Sequence, residues 1–160
     1  MLPADLATTS GHYTLRRATE ADVATIVTLL AADQLGATRD STDDLAPYVA
    51  AFRSIDADEA QQLLVAIDAE GEVVATMQLT VLPGLARRGA LRMQVEAVRV
   101  HEPHRSAGLG GGMMRWAVED ARRRGCALVQ LTSDKSRVDA HRFYERLGFS
   151  RSHEGFKLSL

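Results

Sequence analysis

Of the 160 residues only one is a cysteine, Cys126, so no disulfide can form within the chain. That excludes the disulfide-stapled scaffolds of small secreted domains and fits a reducing compartment, so a cytoplasmic location is expected. No apolar run approaches the ~20 residues needed to span a bilayer, and no membrane association is expected. Residues 1–11 lack the basic and apolar regions of a signal peptide and read as a polar, poorly ordered tail. There is no excess of positive charge: 19 Lys and Arg against 21 Asp and Glu leave a net charge of −2. A nucleic-acid partner would require a basic stripe and is not expected. The chain has no repeat and no linker rich in Pro, Gly or Ser, so residues 12–160 read as one domain.

What is present alternates between two periods. A strand is expected over residues 12–17. Thr19 is a candidate cap for a helix on which Val23, Ile26, Val27 and Leu30 recur at helical spacing, to about Leu35. A second helix is expected over residues 43–53, with Leu45, Val49 and Phe52 on one side. Residues 62–68 and 72–82 read as a hairpin turning at Glu70-Gly71. A loop over 83–89 leads to a strand over 91–100. Its alternation of Leu91, Met93, Val95 and Ala97 with Arg92, Gln94 and Glu96 blurs from Val98 to Val100, as a bulge would make it. A helix over 110–124, a strand over 127–132, a helix over 136–147 and strand character at Phe156, Leu158 and Leu160 complete the order. The fold class is α+β, a mixed and mostly antiparallel sheet of six to seven strands with helices on both faces.

The segment richest in chemistry is Arg105-Ser106-Ala107-Gly108-Leu109-Gly110, followed by Gly111 and Gly112. It joins a strand to an amphipathic helix. A helix N-terminus presents unpaired amides and a partial positive charge. Glycines let a ligand approach those amides, and Arg105 adds a formal charge, so the turn suits a pyrophosphate. The alternative is a capping turn that binds nothing. The segment is neither a P-loop nor a dinucleotide fingerprint.

Arg105, Gly108 and Gly110 form an Arg-x-x-Gly-x-Gly pattern that resembles the pyrophosphate motif of the GNAT N-acetyltransferases. The strand Glu96-Ala97-Val98-Arg99-Val100 resembles the strand before that motif. The run from Asp139 to Phe149 resembles the family's late helix and following turn, and the run from Leu15 to Asp22 its opening. The C-terminal part is similar to bacterial small-amine acetyltransferases, aminoalkylphosphonate N-acetyltransferases among them. The resemblance implies transfer of an acetyl group from acetyl-CoA, as co-substrate, to an amine.

It implies that Val98 and Val100 pair with the pantetheine arm and that backbone groups of Arg105, Ser106, Ala107, Gly108, Leu109 and Gly110 hold the pyrophosphate. Val98 N–H would polarise the thioester carbonyl. Arg99 belongs to the same coenzyme-facing strand. Arg137 stands where the family often has Asn, and would reach phosphate instead of pantetheine. Tyr144 matches the tyrosine that protonates the departing thiolate; its alternative is a tyrosine packed on the core. Glu96 is the candidate base, acting through water. Its alternative is a solvated residue or a partner for Arg99 or Arg92.

No metal is expected, because His101 and His104 lack further ligands nearby. The expected partner is a small-molecule amine, with a homodimer left open. A protein N-acetyltransferase and a non-catalytic acetyl-CoA-binding domain are the other readings. Cationic acceptors would be drawn to Asp33, Asp40, Asp43 and Asp44, for which a solvated acidic face is the preferred reading, and anionic ones to Arg16, Arg53, Arg87 or His153.

Overall fold

A computed structural model describes residues 1–32 and 36–160. Asp33 and the expected helix end at Leu35 lie outside them. Branched and apolar runs form the sheet. Strands β1 (Ala4–Asp5), β2 (Thr14–Arg17), β3 (Gln61–Ile67), β4 (Val73–Leu82), β5 (Leu91–Val100) and β6 (Cys126–Leu131) lie in sequence order. All neighbours are antiparallel except β5 and β6, which are parallel and joined through a helix.

The central strand β3 shows how both faces are covered. Its Leu64 and Ala66 belong to one apolar cluster and its Val65 to another, because successive side chains point to opposite faces. Helices α1 (Val23–Ala31) and α2 (Ala46–Asp56) cover the Val65 face through Val27 and Phe52. Helix α4 (Leu109–Arg123) covers the other through Leu109, Met113 and Ala117. Helix α5 (Val138–Arg146) lies over that same cluster through Phe143 and Tyr144. A single turn, α3 (Ala86–Gly89), with Arg87 and Arg88 in left-handed backbone, occupies the expected loop.

The entry to α1 is fixed by one carboxylate. Asp22 accepts from Thr19 N at 2.7 Å, from the Thr19 hydroxyl at 2.9 Å and from both terminal nitrogens of Arg16 at 2.7 and 2.9 Å. These donors hold its carboxyl down at about 2, with the Arg16 hydrogen bond the largest cause, against an opposing push from burial. Helix α2 starts three residues later than expected, just after a turn in which Asp44 accepts from the Ala46 amide at 2.9 Å.

Two expectations change at the chain ends. Residues 1–11, read as a tail, contribute β1, and Leu6 is buried in the core. At the other end no strand forms: residues after Phe149 have no regular structure, and Phe156, Leu158 and Leu160 are exposed. An alternating pattern provides an apolar face, but a strand also needs a neighbouring edge for its backbone groups.

Candidate active site

The sheet opens at β5. On its β4 side, Gln78 faces Glu96 and Thr76 faces Arg99, so three β5 steps span two on β4. The extra residue is Ala97, with φ at 53°. A residue in left-handed backbone inside a strand is the geometry of a bulge, and it explains the blurred alternation. On the β6 side, parallel pairing runs only from Leu91 with Cys126 to Val95 with Leu131. Beyond the bulge the two strands separate, and the C-terminal half of β5 has a neighbour on one side only.

That opening faces the glycine turn. Gly110 lies beside Val100: a Cβ there would sit 3.6 Å from the Val100 side chain and 3.5 Å from Phe143. Gly108 adopts φ 79° just ahead of α4, and Ser106 adopts φ 68°. Successive turns of this kind gather amides into a concave anion site. The first helical hydrogen bond of α4 runs from Gly112 N to Gly108 O at 2.9 Å, so the amides of Leu109, Gly110 and Gly111 precede it. Arg105 N is different. It closes a preceding turn on Glu102 O at 3.0 Å.

The back of the turn is braced by a segment that the sequence did not flag. Thr9 N and Ser10 N donate to Ala107 O at 3.0 and 3.3 Å. A Cβ on Gly108 would meet Thr9 N at 2.9 Å, closer than real side chains approach. Gly108 is therefore required by both its backbone conformation and its neighbour.

Two arginines engage the carbonyls of β5. Arg99 donates to Val98 O at 3.0 Å, and Arg105 Nε donates to Val100 O at 3.0 Å. Each carbonyl keeps a second lone pair for another donor. Tyr144 packs edge-on against Phe143 and Phe149, with ring centroids 5.1 and 6.0 Å away. Burial raises its phenol above the ordinary value, while the charges of Arg137 and Arg99 pull the other way. The structure thus brings Val98, Arg99, Val100, Tyr144, Arg137 and the glycine turn into one region. Glu96 sits at its border, exposed, opposite Gln78 on the α1/α2 face.

Four of the charged residues considered for an acceptor have partners of their own. Arg16 is held by Asp22, and Arg53 by Glu20 at 2.9 Å. Asp40 accepts from the Tyr48 hydroxyl at 3.2 Å, and Asp44 from the Ala46 amide at 2.9 Å. Sequence reading also missed a row of uncharged polar residues on the α1/α2 face. Gln61 Oε1 accepts from Gln78 at 3.2 Å and Thr80 at 2.8 Å, and Gln130 donates to Gln94 at 2.7 Å. Their shared face becomes visible only once the register is known. Among the described residues no helix is long and apolar enough to cross a membrane.

A bulged strand splayed from its parallel neighbour beside a glycine-led helix defines an acyltransferase-type fold. The acetyltransferase (GNAT) family pattern matches residues 26–149, and the chain belongs to that family. It is 44% identical to a structure described as a transcriptional regulator from Bacillus halodurans C-125, with a TM-score of 0.89, covering 93% of this chain and 100% of that one. It is 37% identical over 67 residues to the aminoalkylphosphonate N-acetyltransferase of Salmonella typhimurium; the match spans 42% of this chain and 44% of that protein. The structure of a protein from Clostridium acetobutylicum described as a predicted acetyltransferase, solved with acetyl-CoA, shares the fold at 16% identity and a TM-score of 0.72, covering 92% and 96% of the two chains.

Proposed function

We propose that the chain transfers an acetyl group from acetyl-CoA to the primary amine of a small molecule, by direct attack while both are bound. The observation that carries this reading is the end of β5–β6 pairing at Val95 and Leu131, next to the bulge at Ala97. The slot so opened runs toward the amides ahead of α4, which suits a thioester at one end and a diphosphate at the other.

In this reading Leu109, Gly110 and Gly111 supply amides to the diphosphate, helped by the charge of Arg105. The late-helix cap Arg137 adds charge on the same side. Val98 and Val100 present backbone groups to the pantetheine arm, and Val98 N–H stabilises the oxyanion formed on attack. The amine forms the new C–N bond as the C–S bond breaks. Water relays the excess amine proton to Glu96, and Tyr144 gives its proton to the departing sulfur. A phenol held above its ordinary pKa by burial stays protonated at neutral pH and remains available as that donor.

The test is a calorimetric titration with acetyl-CoA followed by thiol release with a panel of amines. Binding with amine-dependent thiol release is expected. Binding without release on any amine would instead favour a non-catalytic acetyl-CoA-binding domain. In Gly108→Val the affinity should fall at least roughly 100-fold with the circular dichroism preserved, because the new side chain is strained at this φ and collides with Thr9. Wild-type affinity in that variant would remove the cradle.

A further inference from the structure

A cavity of about 150 Å³ lies under α1 and α2, on the sheet face that carries Glu96. Its wall includes Ile26 and Leu30 of α1, Tyr48 and Phe52 of α2, Gln78 of β4 and the bulge residue Ala97. It therefore opens against the same residue that splays the strands. Among the described residues lining it, none carries a charge. The Tyr48 hydroxyl is occupied elsewhere, donating to Asp40 and accepting from Ser41 N at 3.1 Å, so the ring is what the cavity meets.

We infer that the acceptor is an amine bearing a compact apolar group, which enters this cavity while the amino end stays at Glu96 and the bulge. This rests on the proposed acetyl transfer and gives its substrate class. Glu96 and Gln78 are direct cross-strand neighbours, so a group anchored beside Gln78 has its polar end within reach of the carboxylate. The size fits as well: an apolar cavity of about 150 Å³ lined by aliphatic and aromatic side chains accommodates a benzene-sized molecule.

A phosphonate or carboxylate on the acceptor would find no cation in this wall. Arg16, ahead of α1, and Arg53, within α2, are committed to Asp22 and Glu20. Burying an acid group among Ile26, Leu30 and Phe52 without a partner would be strongly unfavourable. The acceptor thus differs in kind from that of the Salmonella relative.

The experiment measures kcat/KM with acetyl-CoA for the series ethylamine to pentylamine, for isoamylamine and benzylamine, and for 2-aminoethylphosphonate. The expected result is a rise of about fourfold per added methylene until the cavity fills, with the best apolar amine at least roughly tenfold above the phosphonate. In Ala51→Phe, which sets a ring at the α2 rim of the cavity, isoamylamine should lose at least roughly tenfold while the acetyl-CoA Kd stays at its wild-type value. That Kd also certifies the variant's fold, and the wild-type amine series stands without it. A flat series, or a preference for the phosphonate, overturns the inference and leaves acetyl transfer intact. No acetyl-CoA binding to the wild-type protein overturns the underlying reading, and the inference with it.

Discussion

Residues 91–95 and 96–100 are two halves of one strand, with neighbours on different terms. The first half is held between β4 and β6, and its Met93 and Val95 are buried in the core. The second begins with the bulge at Ala97, loses β6 and leaves Val98, Arg99 and Val100 only partly covered. The contrast teaches that this strand passes from fully paired to half-open backbone along its length. Backbone groups satisfied on both sides add rigidity, whereas groups left on one side are available to a ligand. The same division separates the two sides of the molecule. The Arg16–Asp22 pairing ties β2 to α1, far along the sheet from the splayed edge.

The largest effect should come from the open side. Tyr144→Phe should lower kcat by roughly 10²- to 10⁴-fold, the usual worth of a general acid, with acetyl-CoA affinity within about threefold of wild type. Single-turnover acetyl transfer is the measurement, and an unchanged rate would confine Tyr144 to packing. On the paired half, Met93→Ala should cost about 2–5 kcal/mol in urea unfolding, by opening a cavity at a side chain only 1% exposed. Its acetyl-CoA Kd should stay near the wild-type value, and a large loss of affinity would erase the distinction between the halves.

Asp22→Asn should cost about 2 kcal/mol near neutral pH. The carboxyl is depressed from 3.8 to about 2 in the fold, so its contribution is present above 3.8 and fades as pH falls toward 2. The variant and wild type should therefore converge in acid, and a gap that persists at pH 2 would refute this origin. The smallest effect belongs to the bulge itself. Ala97→Gly relieves a left-handed alanine but adds unfolded-state entropy, so stability should shift by less than about 1 kcal/mol. A loss of several kcal/mol would mean that the alanine side chain, and not the backbone kink, holds the splay.

Much of this was legible before the structure. The glycine turn, the break in alternation after Ala97 and the hairpin at Gly71 all announce themselves locally, through residue types suited to only a few backbone conformations. The bracing of Ala107 by Thr9 and Ser10 was not legible, because nearly a hundred residues separate the partners. Nor was the polar row of Gln61, Gln78, Gln94 and Gln130, whose members sit on four strands and meet only through register. The C-terminal alternation at Phe156, Leu158 and Leu160 was legible as pattern but does not become a strand.

The amino-acid sequence by itself determined the family and the order of elements between the first long helix and the last, because these depend on periodicity and local backbone preference. Only the tertiary structure decided where β5 leaves β6, which arginines are already committed to carboxylates and what lines the space beside Ala97. Those are relations between distant segments, fixed when packing brings their surfaces together, and no local preference encodes them.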